Sequence, residues 1–193
     1  MTGFDWDMPI DLQKLWLQYE RIIVNNGAII LFCSQPFTSE LILSNKKLFK
    51  YELIWDKVAS SGGFMAKIMP LKSHENICVF YKEKPTYNPQ MTIGTKWHRG
   101  GNEGRGNENG FGIKTKAESD ESDLKLPKSI ITISNANKTG VVHPTQKPLP
   151  LIEYIIKTYS HTGDTVHDSC LGSGTTLEAC ANLNRNCIGF EIS

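Results

Sequence analysis

Apolar residues recur at nearly helical spacing over 9–23, at Ile10, Leu12, Leu15, Trp16, Tyr19, Ile22 and Ile23, which predicts an amphipathic helix. Asn25-Asn26-Gly27 would end it, since these residues tolerate a left-handed stop. The unbroken apolar run over 27–33 predicts a strand buried on both faces. A helix is expected over 38–48, capped by Thr38 or Ser39. Strands are expected at 51–55 and 76–81, with a flexible loop at Ser60-Ser61-Gly62-Gly63 between them. From 84 to 127 the periodicity gives way to glycine and asparagine, and so long a structureless stretch in a compact domain is functional or disordered. A strand over 129–134, a helix over 148–160 and a closing strand–helix–strand unit over 165–192 follow. This alternation predicts an α/β domain with a doubly wound sheet.

A chain of 193 residues with 39% hydrophobic content can bury one core, with room for an insertion. No apolar run approaches the roughly 20 residues of a membrane span, and the N-terminus lacks the basic and apolar regions of a signal peptide. Cys33, Cys78, Cys170, Cys180 and Cys187 are scattered and mostly lie in apolar segments. Free thiols and an intracellular, cytoplasmic protein are expected. No metal site is expected, because no Cys-x-x-Cys or His-x-x-x-His spacing occurs. His74-Glu75 also lacks the second His of a zinc protease helix, so it reads as structural. The net charge of +1 is uninformative about nucleic acid, but its distribution is not. Residues 84–116 hold Lys84, Lys96, Arg99, Arg105, Lys114 and Lys116 against Glu103 and Glu108, and four acids follow over 118–123.

The densest chemistry lies in His167-Asp168-Ser169-Cys170-Leu171-Gly172-Ser173-Gly174-Thr175-Thr176. A strand precedes this run, a helix follows it, and a second strand ends near Glu191. Strand, glycine turn, helix, strand and acid is how an α/β sheet holds a nucleoside, the acid accepting from ribose hydroxyls. A dinucleotide fingerprint would need a third glycine where Leu177 stands, and a P-loop would need a Lys where Thr175 stands. A nucleoside cofactor without phosphates fits better, S-adenosylmethionine being the common one.

Upstream stands His143-Pro144-Thr145-Gln146-Lys147-Pro148, at the opening of the 148–160 helix. With this segment ahead of the glycine loop, the chain resembles the amino-methylating DNA methyltransferases of the β arrangement. The segments Gly27-Ala28-Ile29-Ile30-Leu31-Phe32, Ile54-Trp55-Asp56-Lys57 and His74-Glu75-Asn76-Ile77-Cys78-Val79-Phe80 match in order. The resemblance spans nearly the whole chain. It implies a Rossmann-like S-adenosylmethionine-dependent methyltransferase sheet in circularly permuted motif order, with a loop-rich DNA-recognition insertion. The implied organisation is a catalytic-side half over 1–83, a target-recognition insertion over 84–127 and a cofactor-binding half over 128–193. Asp168 and the Gly172-Ser173-Gly174 backbone would lie near the methionine part of the cofactor, Ser169, Cys170 and Thr175 would also bind the cofactor, and Glu191 would take the ribose. His143, Pro144, Thr145, Gln146 and Lys147 would close the pocket. Lys96, Arg99, Arg105 and Lys114, interleaved with Tyr87, Trp97 and Phe111, would meet double-stranded DNA through phosphates and bases.

One departure bears on the chemistry. The family's tetrad, Asp/Asn/Ser-Pro-Pro-Tyr/Phe/Trp, holds the amine hydrogens and stacks on the flipped base. No Pro-Pro pair occurs in these 193 residues. The sheet is therefore expected to be incomplete, the chain to be cut at both ends, and no catalytic residue is assigned. Asp5-Trp6-Asp7 does not reproduce the tetrad, and Trp6 reads as a packing or lid residue. The resemblance implies methyl transfer to an exocyclic base amine, adenine N6 ahead of cytosine N4, in a restriction-modification setting. It leaves a homodimer open. A catalytically dead DNA-binding remnant is the competing reading, and a nicotinamide oxidoreductase a third that Leu177 argues against.

Overall fold

The computed structural model describes residues 10–94, 123–135 and 146–191. Helix α1, Leu12–Ile22, starts where the Asp11 side chain accepts from the backbone N–H groups of Gln13 and Lys14, satisfying two otherwise orphaned donors. Strand β1 is Ile29–Cys33. Helix α2, Phe37–Ser44, begins at Pro36 with no side-chain cap, so the expected cap at Thr38 or Ser39 is displaced. Thr38 lies fully buried inside the helix, and the Ser39 hydroxyl donates to Gln35 Oε1 at 2.9 Å.

Strand β2, Phe49–Ser61, and strand β3, Lys72–Phe80, are both longer than the apolar pattern predicts. They form a hairpin that runs through Ser60 and Ser61, so the turn begins only at Gly62. Strands β4, Thr92–Ile93, and β5, Leu124–Lys125, are followed by β6, Ile130–Thr132, and helix α3, Leu149–Tyr159. Strand β7, Thr165–Asp168, helix α4, Thr175–Asn182, and strand β8, Asn186–Gly189, close the chain.

The principal sheet has the order β1-β3-β2-β6. Strand β3 is antiparallel to both β1 and β2, while β6 is parallel to β2. Strands β1, β2 and β6 thus share one direction. Alternation along β3 sends Cys78 and Phe80 to one face, with Trp16, Leu41 and Leu48. Ile77 goes to the other, with Trp55, Ile131, Leu151 and Ile155. Trp16 meets Phe80 at 4.7 Å between ring centroids, and its indole N–H donates to Ser44 Oγ at 2.7 Å. All five cysteines are free.

Helix α3 is apolar on two sides because it has two neighbours. Leu151 and Ile155 face the sheet, while Ile152 and Ile156 pack on Ala179 and Cys180 of α4. Its last carbonyls are closed by Asn88, whose Nδ2 donates to Lys157 and Ser160 at 3.0 Å each. Strands β7 and β8 pair in parallel as a separate ladder. The expected single doubly wound sheet is therefore divided among the described residues: no hydrogen-bonded ladder joins β7 to the principal sheet.

Two units are distinguishable, residues 1–88 with 128–193, and residues 89–127. In the second, β4 and β5 pair antiparallel, and the Gly94 N–H donates to Asp123 at 2.7 Å. The stretch expected to lack periodicity thus carries a short ladder. Tyr87, grouped above with the DNA-facing aromatics, belongs to the first unit, its ring 6.2 Å from that of Tyr159. No helix among the described residues is long and apolar enough to cross a membrane.

Candidate nucleoside site and its supporting charges

Strand β7 delivers Asp168 to the start of the glycine loop. One of its carboxylate oxygens accepts the Cys170 N–H at 3.0 Å, and the other accepts the Thr176 hydroxyl at 2.5 Å. The acid thereby fastens both ends of the turn. Gly172 and Gly174 adopt φ of +54° and +82°, a region that costs side-chain-bearing residues about 1–2 kcal/mol. A Cβ on Gly174 would meet nothing within 4 Å. The glycine is there for its backbone angle and leaves open space beside the chain.

Glu191, just past β8, reaches back across the loop and accepts the Gly172 N–H at 2.5 Å. Backbone bonds from Leu171 to Phe190 at 2.8 Å and from Phe190 to Asp168 at 3.0 Å tie the loop to the second strand. A Cβ on Gly189 would lie 2.8 Å from the Leu171 methyls, so a side chain there would displace the Leu171 side chain. Asp168, Ser169, Cys170, Gly172, Ser173, Gly174 and Thr175 thus lie on one turn, and Glu191 is joined to it through Gly172. Ser173 and Thr175 share a hydroxyl contact of 3.1 Å, and Cys170 is exposed.

Two contributors were not legible in the motif. The Thr176 hydroxyl on Asp168 is one. The other is Tyr19 of α1, whose hydroxyl lies 2.8 Å from Ser169 Oγ. Burial raises the Tyr19 phenol above its ordinary value, keeping it protonated and able to donate. This bond ties the loop to α1 across 150 positions of sequence.

Lys147 stands apart from the loop's hydrogen bonds. Its ammonium pairs with Glu75 at 3.2 Å and lies 5.4 Å from the Phe32 ring centroid and 5.9 Å from that of Trp55. Lys57 reaches the same carboxylate at 2.6 Å. Burial alone would raise the Glu75 carboxyl, but Lys147 and Lys57 outweigh it and hold it below the ordinary carboxylate value. Glu75, read from sequence as structural, pins the start of α3 to the β2–β3 hairpin. Gln146 lies beside Lys147 at that helix start. His143, Pro144 and Thr145 lie outside the described residues, as do Asp5, Trp6 and Asp7 and the DNA-facing candidates Lys96, Trp97, Arg99, Arg105 and Lys114.

A DNA methylase family model, that of N6 and N4 methyltransferases, matches residues 9–193. The chain belongs to the amino-methylating DNA methyltransferases. Among these enzymes it is 28% identical over 199 residues to the Type II methyltransferase M.HpaI of Haemophilus parainfluenzae. That match takes in 99% of this chain and 58% of M.HpaI. It is 38% identical over 79 residues to the Type II methyltransferase M2.MboI of Moraxella bovis, across 40% of this chain and 28% of that protein. The M1.HpyAVI–SAM complex superposes with a TM-score of 0.66 at 24% identity, covering 98% of this chain and 80% of the other. The cytosine-N4-specific PvuII DNA methyltransferase gives 0.62 at 16% identity, covering 93% and 66%. The fold is accordingly the Rossmann-like methyltransferase fold, with its mixed sheet, in α/β context. This chain spans 58% of the length of M.HpaI.

Proposed function

We propose that this chain binds S-adenosylmethionine at the glycine loop that follows Asp168, together with Glu191, and serves methyl transfer to an exocyclic amine in duplex DNA, adenine N6 ahead of cytosine N4. The carrying observation is the loop itself, with the Asp168 and Glu191 carboxylates bonded to it, two left-handed glycines and open space where a Gly174 side chain would be. These residues suit the cofactor: Glu191 presents an acceptor to ribose hydroxyls, Asp168 and the 172–174 backbone border the methionine part, and nothing there grips a pyrophosphate. When bound, S-adenosylmethionine supplies the methyl group. The protein's own residues orient it, and Lys147, held by Glu75, fixes the helix start from which Gln146 and the His143-Pro144-Thr145 segment close the pocket.

Residues 84–127 are the target-recognition insertion in this reading, between a half over 1–83 and a cofactor half over 128–193. Lys96, Trp97, Arg99, Arg105 and Lys114 face the duplex. Transfer also needs an acceptor for the amine hydrogens and a stacking ring for the flipped base. No Pro-Pro tetrad stands in these residues to supply them, so the chain by itself transfers no measurable methyl. Oriented groups of this kind are worth about two to three orders of magnitude each. Tritium-methyl transfer to DNA tests this. The chain alone should give background counts, and a form preceded by a strand bearing Asp-Pro-Pro-Tyr should give product, with N6-methyladenine as the labelled nucleoside. Robust transfer by the chain alone would overturn the inactivity and point to Asp5 or Asp7 as acceptor. Labelled N4-methylcytosine would overturn the base assignment. The missing tetrad also favours a second reading, a DNA-binding remnant without catalysis, which predicts duplex binding and no product from either form.

A further inference from the structure

The β2–β3 hairpin carries an apolar surface that no part of the core explains. Cys33, the last residue of β1, lies level with Asn76, which in turn pairs with Ile54. Residues 55–61 and 72–75 therefore extend past the carboxyl end of β1, the end at which open α/β sheets hold their ligands. Strand β2 is irregular between Asp56 and Ser61, where five of its steps oppose two of β3, so the paired overhang is the four residues 72–75, roughly 13 Å at about 3.3 Å per residue. The backbone beyond it is internally hydrogen-bonded: the Met65 N–H donates to Gly62 at 2.8 Å, and those of Ile68 and Met69 to Met65 at 2.8 and 2.9 Å. Its side chains point outward. Phe64 is 103% exposed and Ile68 77%, and Met65, Met69 and Leu71 are also exposed. None of the five joins a core cluster. A contiguous exposed apolar patch of this kind marks an interaction site.

Charge indicates the partner. From Lys57 to His74 there is no acidic residue. Lys57 is committed to Glu75, whereas Lys67 and Lys72 are exposed and enter no ion pair among the described residues. An apolar tip flanked by two such ammonium groups complements a duplex, whose phosphates take the lysines while apolar side chains press into a groove or between base steps.

We propose that the β2–β3 hairpin tip is a second DNA-contacting element, separate from the 84–127 insertion, with Lys67 and Lys72 on backbone phosphates and Phe64 and Ile68 against the bases. The inference rests on the chain's partner being duplex DNA. Fluorescence anisotropy of a labelled duplex, titrated with the 193-residue chain at several salt concentrations, tests it. The double variant Lys67→Ala/Lys72→Ala should flatten the slope of log affinity against log salt by about two units. Phe64→Ser/Ile68→Ser should weaken binding about tenfold at fixed salt and leave the slope unchanged. All four positions are exposed and lie outside the nucleoside loop, so circular dichroism and S-adenosylmethionine affinity should match the parent. If the parent binds DNA and both variants bind identically, the inference fails and the DNA reading stands. If the parent binds no duplex, both fail. If Phe64→Ser/Ile68→Ser instead converts a sedimenting dimer to monomer while the lysine variant keeps the parental slope, the face belongs to a second copy and the proposal is overturned.

Discussion

Replacing Glu75 by Gln removes the negative charge that two lysines share, Lys57 at 2.6 Å and Lys147 at 3.2 Å. The side chains are largely withdrawn from water, at 13% exposure for Lys57, 18% for Glu75 and 26% for Lys147. Breaking a fully buried pair from one side costs about 3–5 kcal/mol, because the partner charge is left uncompensated. Partial exposure and the retained amide oxygen reduce that here to about 2 kcal/mol. For a chain of this size the melting temperature should fall by roughly 4–8 °C. Denaturant unfolding at neutral pH gives the free energy directly. The second arm replaces all three residues, as Glu75→Gln/Lys57→Met/Lys147→Met. Removing every charge together leaves nothing unpaired and should recover most of the loss. A cost below about 0.5 kcal/mol for Glu75→Gln, or a triple variant no more stable than the single one, would refute the claim that this carboxylate holds the two lysines in place.

The same carboxyl sets a pH dependence. Its folded value is depressed, so its contribution is fully present above the unfolded value of about 4.3 and is lost as pH falls through the folded value. Acid titration of stability should therefore show the parent losing more than Glu75→Gln below about pH 4. Gly174→Ala should cost about 1 kcal/mol through its backbone angle, with no clash, and lower S-adenosylmethionine affinity. Gly163→Ala, at φ of +87° outside the loop, should cost the same and spare affinity, and equal effects on binding would contradict the site. Replacing Lys96, Arg99 and Arg105 together by Ala should lower the salt slope of duplex binding by about three units, and an unchanged slope would show that the insertion does not touch the backbone.

Local pattern carried much of the fold into view. The α1 periodicity, the apolar β1 run and the helix after Pro148 all stand close to where the spacing puts them. The glycine loop was legible because its demands are local: Gly172 and Gly174 take left-handed angles, and Asp168 bonds within eight residues. Ladder extent was not. Strand β2 continues through Ser60 and Ser61 because β3 pairs with it there, Ser61 opposite Lys72, although neither serine favours a strand. The Glu75–Lys147 pair joins residues far apart in the chain, and Tyr19 meets Ser169 across 150 positions. No window of sequence contains either pair. The separation of β7 and β8 from the principal sheet among the described residues likewise depends on which strands find partners, which hydrophobicity does not encode.

The central claim is that the glycine loop after Asp168, with Glu191, holds a nucleoside cofactor without a pyrophosphate. Isothermal titration calorimetry of S-adenosylmethionine and of NAD, on the parent and on Glu191→Ala, tests it most directly. A charge-assisted hydrogen bond of about 1.5–3 kcal/mol is at stake at Glu191, so the substitution should weaken S-adenosylmethionine binding at least about tenfold, with no measurable heat from NAD on either protein. Tighter binding of NAD than of S-adenosylmethionine, or an affinity for S-adenosylmethionine unmoved by Glu191→Ala, would contradict the account.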